Sequence, residues 1–159
     1  MIYGVITLLT FCCMEMVAWG AHRFLMHGYF WSWHRDHHDP KLKTDDFFEK
    51  NDRFFLVFAI PSFLFFLAGL LTPMHFFTFI GLGILIYGIC YFLVHDVFIH
   101  QRFKWFRNSN WAYFRAIRKA HKVHHKHLGK EEGECFGMLF VPRKYFVEAI
   151  KYKKNLTRV

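Results

Sequence analysis

The sequence predicts an all-α integral membrane protein with three transmembrane helices and a cytoplasmic helical cap that holds a histidine-rich dimetal site. Three observations predict this fold. The chain of 159 residues contains three long apolar runs. All 21 lysines and arginines lie outside those runs, in the segments 23–53 and 102–158. Ten of the 12 histidines form four compact clusters that lie beyond the ends of the first and third runs.

The first run covers residues 2–20 and contains one charged residue, Glu15. The second and third runs, 54–71 and 76–94, carry no charge, and a short turn with Pro73 joins them. A helix rises about 1.5 Å per residue, so runs of this length span a hydrocarbon core of about 30 Å. A soluble chain of this size would have too little polar surface to cover three helices that are apolar all round. The runs are therefore expected to be membrane spans.

The positions of the basic residues predict the orientation in the membrane. The start of the first run and the turn at 72–75 have no Lys or Arg, whereas the segments 22–53 and 95–159 contain all of them. Because basic residues are enriched on the cytoplasmic side, we expect both segments on the cytoplasmic side of a bacterial inner membrane. Residues 1–159 are expected to form one domain. Its first run lacks the basic start of a signal peptide and is expected to be retained.

The stretch 103–118 is the alternative for a fourth span. It is rich in Trp and Phe, but four basic residues interrupt it. We therefore expect an amphipathic helix that lies at the membrane interface. Short helices from 28–52 and 101–150 are expected to complete the cap.

The clustered histidines repeat one pair of motifs twice. The first and third clusters have the spacing HxxxxH, and the second and fourth have the spacing HxxHH. The ten residues are His22 and His27; His34, His37 and His38; His95 and His100; and His121, His124 and His125. Each pair of clusters follows a span on the side that carries the basic residues. Such a repeat on one membrane face favours a metal site over a solvated, pH-responsive histidine surface.

The two spacings place imidazoles differently on a helix. Residues i, i+3 and i+4 share one face, about 5–6 Å apart, so HxxHH can offer two or three ligands to a metal. Residues i and i+5 point about 140° apart on a straight helix. Both histidines of HxxxxH can point inward only if the helix ends or unwinds between them, unless they serve different metals. Ten histidines exceed the needs of one ion, so two ions are expected. An all-imidazole site without thiolate, facing a lipid compartment, points to non-haem iron and O₂ chemistry.

Three aspartates lie within or beside the clusters: Asp36, Asp39 and Asp96. They are candidates to accept ring N–H bonds from ligand histidines, which would orient the rings. The alternative for each is a solvated charge at the membrane interface.

Glu15 is unusual because a carboxylate inside a span is costly and normally faces a partner or a cavity. It lies seven residues before His22, on roughly the same helix face. We expect it either to point towards the metals, as an acceptor or proton path, or to lie at a helix contact. Tyr87 and Tyr91 share a face with His95 and are expected to pack there, with a hydrogen bond to the site as the alternative.

The clusters and their neighbours resemble the histidine boxes of bacterial β-carotene 3-hydroxylases, which belong to the fatty acid hydroxylase superfamily of membrane di-iron enzymes. The likeness covers roughly residues 15–145. Its motifs are His22–His27 with Gly28, Trp33–His38 with Asp39 and Pro40, Tyr87-Gly88, Tyr91–Asp96 through His100–Arg102, Ala120–His125 and Phe136-Gly137.

The resemblance implies two non-haem iron ions held by the ten box histidines, with O₂ as co-substrate and electrons from a ferredoxin-type donor. It implies a monooxygenase that takes a carotenoid from the bilayer and hydroxylates ring carbon 3. β-Carotene would become β-cryptoxanthin and then zeaxanthin, and canthaxanthin would become astaxanthin.

Other functions fit the residues less well. A di-iron hydroxylase of a fatty acyl or sterol lipid would use the same boxes, and only the overall likeness and short chain favour a carotenoid. A metal-transport protein would place ionisable ligands near the bilayer midplane, where only Glu15 lies. Nucleic-acid binding is not expected because no recognition module is visible. The basic face is expected to meet anionic lipid headgroups, and an acidic redox protein is a further hypothesis.

Overall fold

The computed structural model describes residues 1–42, 46–106, 109–131 and 133–156, with side chains up to 152. Over these residues the chain is helical or irregular and contains no strand, which confirms the all-α class. The segments expected outside the membrane also include 43–45, 107–108, 132 and 157–159, which lie outside the described residues.

The described residues form six α-helices. These are α1 (Ile2–Gly20), α2 (Trp31–His38), α3 (Leu56–Leu71), α4 (Phe76–Phe92), α5 (Ala112–His124) and α6 (Arg143–Leu156). Two π-helical segments, π1 (Ala21–Tyr29) and π2 (Leu93–Ile99), follow α1 and α4 directly. Short 3₁₀ helices cover Pro40–Leu42 and Lys50–Phe55.

Three helical stretches are long and apolar enough to cross a membrane: Ile2–Tyr29, which has a kink at Gly28, Lys50–Leu71 and Phe76–Ile99. Each contains or overlaps one of the three runs expected from the sequence. In the most apolar 18 residues of each stretch, between 17% and 28% of the residues are buried within the protein. Most of this apolar surface therefore faces outward, which suits a lipid environment. The three-span membrane fold is confirmed.

Helix α4 packs against both α1 and α3. Small residues at these contacts let the spans approach closely. A Cβ atom at Gly83 would lie 2.7 Å from the carbonyl oxygen of Thr7, and one at Gly81 would lie 2.9 Å from that of Ser62. Ser62 Oγ donates a hydrogen bond to the Gly81 carbonyl, and Thr7 Oγ1 donates one to the Phe79 carbonyl. Close backbone approach and interhelical hydrogen bonds are typical of helix association in membranes.

The stretch 103–118 differs from the single amphipathic helix that was expected. Helix α5 begins only at Ala112, and the described residues between 101 and 111 are turns or irregular. The buried face of α5 includes Ala116, Ala120 and His124, at a spacing of four residues. The packing of this later stretch, rather than the Trp and Phe content before it, determines where the helix lies. No fourth stretch that could cross a membrane occurs in the described part of the chain.

The cap consists of short helices, as expected. Helix α5 packs against α6 through Ala116, Ala120, Tyr145 and Ala149. Helix α2 packs against π1 and against the 3₁₀ helix Lys50–Phe55. The cap therefore meets the ends of α1 and α4, where the π-helical segments carry histidines.

Candidate metal centre

Both HxxxxH clusters lie at π-helical segments. The first is inside π1, and the second spans π2 and the residue that follows it. Phe30 N donates to the Leu25 carbonyl at 2.8 Å, and His100 N donates to the His95 carbonyl at 2.9 Å. Such bonds between residues five apart define a π-helix, so residues five apart come to the same side. The helix therefore unwinds locally, which is one of the solutions that the spacing allows.

Five imidazoles converge in the first histidine group, which consists of His22, His27, His34, His38 and His124. All five are buried, and their ligand nitrogens lie within 4.8 Å of one another. The Nε2 atom of His34 lies 3.2 Å from that of His22 and 3.1 Å from that of His38. The Nε2 atoms of His27 and His124 lie 3.3 Å apart. Segments π1, α2 and α5 thus share one group.

Four imidazoles form the second histidine group: His37, His100, His121 and His125. The Nε2 atom of His121 lies 2.9 Å from that of His100 and also 2.9 Å from that of His125. His95 completes the group, because its Nε2 atom lies 3.2 Å from that of His37. The structure therefore brings all ten box histidines into two adjacent groups.

The two HxxHH motifs have opposite roles in the two groups, since each gives two histidines to one group and one histidine to the other. Helix α2 contributes its i and i+4 histidines to the first group and its middle one, His37, to the second. Helix α5 contributes its i and i+4 histidines to the second group and its middle one, His124, to the first. Positions i+3 and i+4 lie about 100° apart around a helix, so one HxxHH motif can serve two sites. The repeat seen in the sequence is thus a repeat of sites in space.

The ring orientations of the first group leave unprotonated nitrogens facing one another. Each Nδ1 atom lies near an oxygen: His22 near Phe136 O (3.0 Å), His27 near Lys130 O (3.2 Å), His34 near Asn51 Oδ1 (2.7 Å), His38 near His127 O (3.0 Å) and His124 near Glu134 O (2.9 Å). A carbonyl oxygen only accepts, so Nδ1 carries the hydrogen and Nε2 carries a free lone pair. Lone pairs gathered so closely repel one another unless a cation binds them. This donor set fits a metal ion.

The separations of the ligand atoms also fit metal coordination. Imidazole nitrogens bind Zn²⁺ at about 2.0–2.1 Å, which puts neighbouring ligands of such an ion roughly 3–3.4 Å apart. The Nε2 pairs of the two groups lie 2.9–3.3 Å apart. Imidazole is a good ligand for iron, zinc, copper and nickel.

Carboxylates orient two rings of the second group. His37 Nδ1 donates to Glu49 Oε2 at 3.1 Å, and His95 Nδ1 donates to Asp96 Oδ2 at 3.2 Å. Such partners set the ring tautomer and increase the basicity of the ligand nitrogen.

Asp96 is itself held by Arg102, whose guanidinium lies 3.4 Å from Asp96 Oδ1. The same guanidinium contacts both carboxylate oxygens of Asp52, at 3.0 and 3.1 Å. The second group therefore sits beside a charged network, whereas the first is oriented by neutral carbonyl and amide oxygens.

Burial keeps six of the box histidines in the cap neutral. Desolvation, with a further contribution from neighbouring imidazoles, lowers the pKa of His38 to about 4 and that of His124 to about 3. For the same reasons the pKa values of His34, His37, His121 and His125 lie well below the usual range. At neutral pH these rings have the uncharged form that binds metals.

The other acidic residues singled out from the sequence have different surroundings. Asp39 Oδ1 accepts a hydrogen bond from the backbone N–H of Lys41 at 3.0 Å. Asp36 Oδ1 is buried and has no hydrogen-bond partner among the described residues. Glu15 accepts hydrogen bonds from the Tyr87 hydroxyl at 2.6 Å and from three backbone N–H groups of residues 138–140 at 2.9–3.1 Å. Glu15 therefore lies at a contact between segments, and Tyr87 does more than pack.

Several residues that orient the histidines were not identified from the sequence. Glu49 and Asp52 form a capping box at the start of the 3₁₀ helix Lys50–Phe55, and this local role explains them without reference to a metal. No sequence pattern marks the Asn51 side chain as a partner of a histidine. None marks the carbonyl groups of residues 127, 130, 134 and 136 either, because every residue has a backbone carbonyl group.

An apolar cavity of about 460 Å³ lies beside the second histidine group. Ala18 and Met26 line it from the first span, Phe58 lines it from α3, and Tyr91 and His95 line it from the third span. The ring centroids of Tyr91 and His95 lie 5.3 Å apart. An apolar ligand in this cavity would therefore lie against a candidate metal ligand.

Comparison with known proteins adds independent findings. Residues 7–143 match the family described as fatty acid hydroxylase. The β-carotene hydroxylase of Pantoea ananas is 38% identical over 139 residues, which cover 87% of this chain and 77% of that protein. The β-carotene hydroxylase of Pseudescherichia vulneris is 34% identical over 157 residues, covering 98% and 86%. The chloroplastic β-carotene 3-hydroxylase 2 of Arabidopsis thaliana is 34% identical over 150 residues, covering 91% and 46%.

No solved structure matches the chain. The family match extends across all four histidine clusters, so the two histidine groups lie inside the matched region. By these matches the chain is an oxidoreductase and belongs to the fatty acid hydroxylase family.

Proposed function

We propose that this protein is a carotenoid β-ring 3-hydroxylase. It would convert β-carotene to β-cryptoxanthin and zeaxanthin, and it would accept the ketolated rings of canthaxanthin to form astaxanthin. The observation that carries the proposal is the apolar cavity whose wall includes His95. The relatives named β-carotene hydroxylase support the choice of substrate, and one named a 3-hydroxylase supports the ring position.

The proposed cofactors are two non-haem iron ions, one in each histidine group. When bound, they would supply the activation of O₂ and the transfer of a hydroxyl oxygen to a C–H bond. The chain itself holds seven of the ten ligand rings, since the Nδ1 atoms of all five rings in the first group and of His37 and His95 donate to oxygens and turn the Nε2 atoms inward. In the second group, the carboxylates of Glu49 and Asp96 fix His37 and His95 in this orientation.

The cavity would hold one end ring of the carotenoid, while the rest of the polyene remains among the spans and lipids. Its volume of about 460 Å³ lies within the range of about 300–1,000 Å³ typical of ligand pockets. The rings of Phe58 and Tyr91, with centroids 5.2 Å apart, form part of the wall. Arg102, held by Asp52 and Asp96, lies at the polar end. Apolar walls exclude water and bring the substrate ring against His95.

The proposed orientation places the cap on the cytoplasmic side of a bacterial inner membrane, with the whole chain acting as one hydroxylase domain. The basic residues of the cap support this side. The proposed electron donor is a ferredoxin-type acidic protein. A basic groove between α5 and α6, lined by Arg115, Arg118, Lys122 and Lys151, supports that partner. Helix α5 also carries histidines of both groups, so a donor bound in this groove would be one helix away from them.

A pigment profile tests the proposal. The chain is expressed in a bacterial host that accumulates β-carotene and contains a competent electron donor, beside a His124→Ala variant. Zeaxanthin and β-cryptoxanthin are expected with the intact chain, and only β-carotene with the variant. Unchanged β-carotene with the intact chain present in membranes would contradict carotenoid hydroxylation. Hydroxylated fatty acyl or sterol products in the same extracts would then identify the other lipid class.

A further inference from the structure

We propose that Glu15 is a positioning residue for the first histidine group, and that it acts through residues 133–140, called here the strap. Glu15 lies in α1 and is only 8% exposed. Its carboxylate does not reach a histidine ring directly. It holds the backbone of the strap, and the strap holds the rings. This inference depends on the proposed metal centre but not on the identity of the substrate.

The first step is the contact between Glu15 and the strap. Glu15 Oε1 accepts hydrogen bonds from the backbone N–H groups of Met138 at 2.9 Å, Leu139 at 3.0 Å and Phe140 at 3.0 Å. The other oxygen accepts the Tyr87 hydroxyl at 2.6 Å and lies 3.1 Å from Leu139 N. Hydrogen bonds to an ionised acceptor are the stronger kind. One carboxylate thus satisfies three consecutive backbone donors that no helix or strand pairs.

The second step is the contact between the strap and the ligands. The Phe136 carbonyl accepts the Nδ1 hydrogen of His22 at 3.0 Å, and the Glu134 carbonyl accepts that of His124 at 2.9 Å. The Phe136 ring packs against His22, His27 and His124, with centroid distances of 5.5, 5.1 and 5.3 Å. The strap therefore sets both the tautomer and the tilt of rings that belong to one group only.

The third step is the fit at Gly137. A Cβ atom there would lie 2.8 Å from the Phe140 carbonyl oxygen and 3.1 Å from Glu15 Oε1. Glycine lets the strap fold tightly over the carboxylate. The strap also accounts for a carboxylate in a membrane span, since the donors that stabilise the charge come from the cap segment and from α4.

The arrangement predicts a selective effect on the two metal positions. Removing the Glu15 acceptor frees the strap, which loosens His22 and His124 but leaves the Glu49 and Asp96 contacts of the second group unchanged. Loss of a partner that orients a metal ligand typically weakens metal binding by roughly 10–100-fold. A residue that only stabilised the fold would affect both groups alike.

The test compares Glu15→Leu, Glu15→Gln and a matched control, Thr7→Val. Thr7 lies on the same helix and bonds the Phe79 carbonyl in α4, but it does not contact the strap. The proteins are purified in detergent after growth with ⁵⁷Fe, and their iron content and Mössbauer spectra are recorded. Glu15→Leu is expected to lose the signal of one site while keeping the other. Glu15→Gln keeps a carbonyl acceptor, so it is expected to retain both signals, as is Thr7→Val.

An unchanged spectrum in Glu15→Leu, or an equal loss of both sites, would overturn the proposal. If Glu15→Leu fails to accumulate, Gly137→Ala disturbs the same contact from the strap side. Gly129→Ala is its control, because a Cβ atom there would meet nothing within 4 Å. A selective loss of one iron signal in Gly137→Ala alone is expected, and identical spectra in the two glycine variants would refute the role of the strap. Because these readouts use no carotenoid, they stand apart from a failure of the proposed activity.

Discussion

His34 and His37 lie on the same helix with ring centroids 5.4 Å apart, yet their Nε2 atoms point into different histidine groups. That of His34 lies 3.2 Å from His22 Nε2, and that of His37 lies 3.2 Å from His95 Nε2. Helix α2 therefore carries histidines of both groups, and α5 does the same. The distance between the two candidate metal positions is set by helix geometry and not by a flexible loop.

Replacing one histidine at a time should remove one metal at a time. His34→Ala is expected to deplete the first group and His37→Ala the second, and both are expected to abolish hydroxylation because the proposed reaction uses both ions. Iron content and pigment conversion are the measurements. His75→Ala is the control, since His75 lies in the turn at the other end of the spans and its ring faces the Gly69 carbonyl. Normal turnover in several box variants would refute the dimetal assignment.

Filling the cavity should reduce hydroxylation without removing iron. Val57 lines the cavity, so Val57→Phe is expected to lower zeaxanthin formation about tenfold or more, since even one methylene in an apolar pocket is worth about 10–200-fold. Leu56→Phe is the matched control, because Leu56 is the preceding residue and is 52% exposed on the outer face. Initial rates in membranes at matched protein levels give the comparison. Equal rates in the two variants would show that the substrate binds elsewhere.

The charged network should control how firmly the second group holds its metal. Arg102→Gln removes the guanidinium that bonds Asp52 and Asp96, so Asp96 is less firmly held against His95. The iron ion proposed for the second group is expected to dissociate at roughly 10–100-fold lower chelator concentration. Iron retention during a chelator titration measures this. Arg53→Gln, which removes a cation that lies over the Trp33 ring, serves as the control. If it lowers the required chelator concentration as much as Arg102→Gln does, the effect does not come from the specific network.

Close packing of the spans should make Gly83 sensitive to size. A Cβ atom at Gly83 would lie 2.6 Å from Thr10 Cβ and 2.7 Å from the Thr7 carbonyl, so α1 and α4 must separate. Gly83→Ala is expected to destabilise the protein by about 1–3 kcal/mol, the usual cost of overpacking. Thermal unfolding in detergent is the measurement. Gly4→Ala, where a Cβ atom meets nothing within 4 Å, is expected to leave stability unchanged or slightly higher.

Much of the candidate site could be predicted because its signal is local. Histidines at i and i+4 share a helix face whatever the rest of the chain does, and the repeat of both motifs indicated two sites. The i+3 histidine of each HxxHH motif joins the other group, which the spacing alone did not indicate. The HxxxxH spacing predicted either a local break in the helix or histidines that serve different metals, and π1 and π2 show the first of these. The stretch 103–118 was expected to form one amphipathic helix, but of its described residues only 112–118 are helical, because α5 begins at Ala112 and packs its small residues against α6.

The sequence alone indicated the three spans, the side of the spans that carries the basic residues and the ten histidines that are candidate ligands. It could do so because hydropathy and helical period depend on neighbours along the chain. The tertiary structure decided which histidine joins which group and which oxygen orients each ring. It also decided that Glu15 binds residues 138–140 of the strap, 123 to 125 positions further along the chain. These contacts arise between segments that are distant in sequence, so their partners depend on how the spans and cap pack together.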